Sequence, residues 1–153
     1  MFRLFLLLSF LLPLLADAQP IKCPSPSWVT RIDLPYNKTG LEESASDGYI
    51  DIGSERQVSL ATQTVFVRYA RRVLSEAGVE NASEISVDWD PGYEQPRLHS
   101  LRIIRGGRVI DRMAAASFRV LQLESERSKH IYDGRLTAVH LLEDVRQGDI
   151  IEY

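Results

Sequence analysis

From about residue 65 onward, apolar and polar side chains alternate. Val65, Val67 and Tyr69 take turns with Phe66, Arg68 and Ala70, and Ile85, Val87 and Trp89 alternate strictly with Ser86, Asp88 and Asp90. A two-residue period predicts strands with one buried face. Asp90-Pro91-Gly92 then predicts a turn, because proline presets φ and glycine accepts positive φ. Residues 101–105 and 108–112 flank Gly106-Gly107, which predicts a hairpin closed by a primed two-residue turn. That register sets Ile104 opposite Val109, Ile103 opposite Ile110 and Arg102 opposite Asp111, each pair chemically matched. Further strands are expected over 118–123, 136–142 and 149–153, with turns at Asp133-Gly134 and Gln147-Gly148. Helix signals are weak, and residues 73–79 predict a turn or two that Gly78 ends. Many short alternating strands predict a mainly β fold, an antiparallel β-sandwich or open barrel. The last alternation is still running at Tyr153. It predicts an exposed final strand without a neighbour and a fold incomplete at its C-terminus.

The pattern before residue 48 is different. Met1, Phe2 and Arg3 make a positive start, residues 4–15 are almost unbroken apolar sequence, and Ala16-Asp17-Ala18 precedes Gln19. This layout predicts a secretory signal peptide over 1–18 with cleavage after Ala18. As a helix the apolar run rises only about 18 Å, against about 30 Å of hydrocarbon. Export to a periplasmic or secreted location is therefore expected, with no membrane span after cleavage. Residues 19–47 read as a Pro-rich tail containing Pro20, Pro24, Pro26 and Pro35, from which Trp28, Val29, Ile32 and Leu34 could lie against the domain. Residues 48–153 form the β domain.

Composition narrows the chemistry. With 18 basic and 21 acidic side chains in 153 residues, the chain lacks the cationic excess that nucleic-acid binding requires. Its length supports one hydrophobic core rather than two. Cys23, the single cysteine, forms no intramolecular disulfide, and nothing in the sequence positions His99, His130 or His140 beside it. Asp88, Asp90 and Glu94 resemble a calcium loop, but an EF-hand needs Gly and a carboxylate where Tyr93 and His99 stand. The histidine spacings do not suit zinc. No metal, cofactor or catalytic residue is expected. Arg105 and Arg108 beside the Gly-Gly turn predict a small cationic tip.

The run Phe66-Val67-Arg68-Tyr69, Arg71-Arg72-Val73-Leu74, Ile85-Ser86-Val87-Asp88-Trp89-Asp90-Pro91, Leu98-His99, the hairpin, Ile131-Tyr132-Asp133-Gly134 and Gly148-Asp149-Ile150-Ile151-Glu152-Tyr153 resembles the DUF3857 family. This is a domain of unknown function that precedes transglutaminase-like domains in exported proteins of Gram-negative bacteria. The resemblance implies a β-sandwich module without catalytic residues of its own. It also implies that the Cys-His-Asp centre of the following domain is absent from this chain, which looks truncated.

The expected function is an exported, non-catalytic, structural or partner-binding module. Its partner would be another protein or the missing C-terminal transglutaminase-like domain. The alternative is a self-sufficient periplasmic module that binds glycan or peptide through Trp89, Tyr93, Arg105 and Arg108, where aromatic faces adjoin cationic donors.

Overall fold

The computed structural model describes residues 19–37, 39–40, 42, 45–122 and 134–153. The expected leader and the Ile131–Asp133 part of the family-like run lie outside them. Along the described chain come β1 (Ile21–Lys22), β2 (Tyr49–Ser59), β3 (Thr64–Val73), α1 (Glu76–Ser83), β4 (Glu84–Trp89), β5 (Arg97–Leu98), β6 (Arg102–Arg105), β7 (Arg108–Asp111), β8 (Arg119–Gln122), β9 (Leu136–Leu141) and β10 (Ile150–Glu152). No helix among the described residues is long and apolar enough to cross a membrane.

The strands form a mainly antiparallel, open arrangement. One sheet runs β2-β3-β10-β6-β7, a second runs β4-β9-β8, and β1 pairs in parallel with β5. Ile85 and Trp89 point inward from β4 while Glu84, Ser86 and Asp88 face out, as the two-residue period requires. They meet Val73, Leu101, Ile103, Ala138 and Ile151 in the main core, which draws side chains from both sheets. The β6–β7 hairpin has the expected register, with Arg102, Ile103 and Ile104 opposite Asp111, Ile110 and Val109. Gly106 and Gly107 both take positive φ, which most side chains resist.

Two expectations need correction. The final strand is not an unpaired edge. Ile150, Ile151 and Glu152 pair with Arg72, Arg71 and Ala70 of β3 on one side and with Ile104, Ile103 and Arg102 of β6 on the other. Alternation reports a strand's faces and says nothing of its neighbours, so it cannot separate an edge strand from a central one. Nor does Gly78 end the helix. Ser75 caps α1 by accepting from the Gly78 amide at 3.3 Å, and the helix runs on to Ser83. Gly78 is there for clearance, since a Cβ on it would lie 1.8 Å from the Gly48 carbonyl oxygen.

The segment expected as a tail lies on the other face of the five-stranded sheet. Leu34 and Tyr36 pack with Ile50, Ile52 and Ala70, and Ile32 contributes only its carbonyl. The long strand β2, unread in the sequence, carries a bulge between Asp51 and Gly53. The bulge lets Ile50 and Ile52 both stay buried before the strand changes phase. The five-stranded sheet is thus a middle layer, with the smaller sheet on one face and the N-terminal strap on the other.

Candidate functional site

Beneath the strap, charged side chains line up across the middle sheet. Glu55 on β2 faces Arg68 on β3 at 2.5 Å. Arg68 reaches Glu152 on β10 at 4.0 Å, and Glu152 also binds Arg102 on β6. Arg102 in turn stands opposite Asp111 on β7. The signs alternate strand by strand, so each charge has opposite neighbours. The Glu152 side chain is only 1% exposed, and the strap completes its surroundings. Tyr36 donates its hydroxyl to Glu152, while Arg68 donates to the Ile32 carbonyl and Arg72 to the Tyr36 carbonyl. Burial, and then the Glu152 carboxylate, push the Tyr36 phenol above its ordinary value. This lattice holds the strap to the sheet and fixes the chain's layers.

A second cluster ties the hairpin to the β9–β10 connection. Arg105 donates from Nε and Nη2 to the two Asp149 oxygens at 2.8 Å each, and from Nη2 to the Asp144 carbonyl at 2.6 Å. The fork on Asp149 holds Arg105 protonated, and the Arg146 hydrogen bond lowers the Asp144 carboxyl below its ordinary range. Arg105 is therefore engaged within the fold, and Arg108 alone of the expected tip is exposed. Trp89 is 4% exposed in the main core, while Tyr93 stands out in solvent. The four residues of the glycan or peptide reading thus occupy a core, a turn and the tip of a hairpin, and Trp89 offers a ligand no open ring face. The calcium-like carboxylates are occupied locally. Asp90 accepts from the Gly92 amide, Glu94 from the Asp90 amide, and Asp88 from the Thr137 hydroxyl. Among the described residues no group of three or more metal-ligating side chains assembles.

The structure overturns one further expectation, that no histidine approaches Cys23. The β1–β5 pairing, extended by the Cys23 amide donating to the Leu98 carbonyl at 3.0 Å, brings His99 Nδ1 to 3.5 Å from Cys23 Sγ. The same nitrogen lies 3.1 Å from the Cys23 carbonyl, so an Nδ1 proton would be donated there. The His99 ring also stacks on Phe66. His140 Nδ1 meets the Ser117 carbonyl at 2.8 Å beside a cleft of about 580 Å³ that Arg112, Phe118 and Arg119 help line.

The clearest open feature is the arm formed by the far ends of β2 and β3. There Val58 pairs with Val65 and Arg56 with Val67. Val58, Val65, Val67 and Tyr69 are 56%, 47%, 37% and 40% exposed, and Leu60 at the connecting turn is 87% exposed. Single exposed apolar residues are ordinary, whereas these stand together on paired strands. Tyr153 extends the set, its ring 5.4 Å from that of Tyr69. Burial raises the Tyr153 phenol, although Arg71, lying against its face, pulls the other way.

A family model described as "Domain of Unknown Function with solved-structure structure" (DUF3857) matches residues 61–153. The chain belongs to the DUF3857 family. No curated protein and no solved structure matches it. The DUF3857 match starts at the turn between β2 and β3. Glu55 and Tyr36, which complete the charged row, therefore come from residues that precede the matched region. Neither the row nor the arm was read from the sequence. The row left a signal as single charged residues two positions from an apolar one on the same strand face, Arg68 with Ala70 and Glu152 with Ile150.

Proposed function

We propose that this DUF3857 chain is an exported, non-catalytic β-sandwich module that docks another polypeptide on its β2–β3 arm. The observation that carries the reading is the run of exposed Val58, Val65, Val67 and Tyr69 on two paired strands. Leaving this much apolar surface in water is unfavourable by about 25 cal/mol per Å², which a partner would recover. The rest of the chain is arranged as support, since the charged row and strap rigidify the sheet from which the arm projects. The leader-like residues 1–18 support export, and the resemblance drawn from the sequence makes a transglutaminase-like domain one natural partner.

Site-specific photocrosslinking in the native cell tests the reading. A photoreactive residue at Val58 should give a discrete protein adduct, and one at Glu80 on the exposed side of α1 should not. Equal labelling from both positions, or none from Val58, would contradict it.

A further inference from the structure

The cleft beside His140 carries groups that neither the charged row nor the docking reading uses. Its volume is about 580 Å³, and all of its lining comes from residues 112–143. Small-molecule sites usually measure about 300–1,000 Å³.

The charges around it are unevenly matched. Arg119 on β8 is exposed and has no hydrogen-bond or ion-pair partner among the described residues. Arg112 commits Nη2 to Asp144 at 3.0 Å, on a carboxylate already shared with Arg105 and Arg146. Of the lining residues only Glu143 is a carboxylate, so two guanidinium groups leave the cleft cationic.

His140 adds an acceptor. Its Nδ1 lies 2.8 Å from the Ser117 carbonyl oxygen, where a bare nitrogen would set lone pair against lone pair, so Nδ1 carries the hydrogen. In the neutral ring Nε2 then offers a lone pair, and it meets no protein donor among the described residues. The ring is held against Phe118, centroids 5.6 Å apart, and Leu141, 65% exposed, supplies an apolar wall.

A ligand that answers all three features has a planar anion, a hydrogen-bond donor one or two bonds from it, and a small apolar body. We propose that the cleft binds an N-acylated α-amino carboxylate with an apolar side chain, supplied as a free acylated amino acid or as the C-terminal residue of a peptide. Its carboxylate pairs with Arg119 and the uncommitted arm of Arg112, its amide N–H donates to His140 Nε2, and its side chain lies on Leu141 and Phe118. No lining residue belongs to β2 or β3, so this site and the docking reading stand or fall separately.

The test is titration of the full chain with N-acetylleucine, followed through the backbone amide resonances of residues 117–119 and 140–143. These should shift saturably. N-acetylleucine amide lacks the charge and N-acetyl-N-methylleucine lacks the donor, and each should bind at least about tenfold more weakly. Arg119 is exposed, so Arg119→Gln should keep the fold while weakening N-acetylleucine by about tenfold and leaving its amide unaffected. An acetylated Ala-Ala-Leu peptide that binds as tightly as N-acetylleucine would assign the ligand to a peptide end, and its exclusion would assign a free acylated amino acid. No saturable shift below about 10 mM would overturn the proposal. So would equal binding of the acid and its amide, equal binding of the N-methylated acid, or indifference to Arg119→Gln.

Discussion

Glu152 sits in the sheet with almost no solvent, held by Arg102, Arg68 and the Tyr36 hydroxyl. Such a residue cannot lose its charge partners cheaply. Removing one member of a buried ion pair costs about 3–5 kcal/mol, because the other is left uncompensated. Arg68→Ala should therefore lower stability by about that amount in chemical denaturation, and the exposed Arg108→Ala should change it by less than about 0.5 kcal/mol. Tyr36 and Tyr153 set the alkaline limit. Their phenols are raised in the folded chain, so above pH 10 the unfolded chain releases protons that the folded chain retains. The stabilisation is fully present below pH 10 and is lost as pH rises from there through the folded values. Thermal midpoints should fall above pH 10, and Tyr36→Phe should flatten part of the fall. A midpoint independent of pH up to 11 or so would contradict this. These residues escaped the sequence reading because inward-facing charges look like solvent-facing ones when only apolar positions are counted.

Local elements were the most legible. The β6–β7 register followed from two glycines and matched flanks, since every interaction that sets it lies within a few residues. Strand β2 was not, because Gly53, Ser54, Glu55, Arg56 and Gln57 dilute its apolar signal and the bulge breaks its phase. The helix α1 was misjudged by weighing Gly78 on propensity alone. Gly78→Ala gives the direct comparison. Helix propensity favours alanine by about 1 kcal/mol, but the approach to the Gly48 carbonyl forbids the methyl group. The clash should win, with a net loss of about 1–3 kcal/mol in denaturant titration. A stabilised variant would show that the Gly48–Gly78 contact is looser than described.

At the scale of the whole molecule, the decisive contacts join distant parts of the chain. Cys23 and His99 meet across 76 positions, and Tyr36 reaches Glu152 across 116. No local pattern encodes such meetings, which is why the tail, the final strand and the thiol–imidazole contact were placed only by the structure. The same long-range closure explains the molecule's asymmetry. Strap, middle sheet and second sheet bury one another, while the far end of the β2–β3 arm projects beyond them with its apolar face open. A rigid centre with one open apolar face is the arrangement from which the docking role was drawn. Native-state hydrogen exchange on the free chain measures both halves of that arrangement at once. The account predicts that the amides of Ile150, Ile151 and Glu152 exchange among the slowest in the protein and those of the turn at 60–63, at the tip of the arm, among the fastest. Rapid exchange throughout residues 150–152, with residues 60–63 protected, would contradict it.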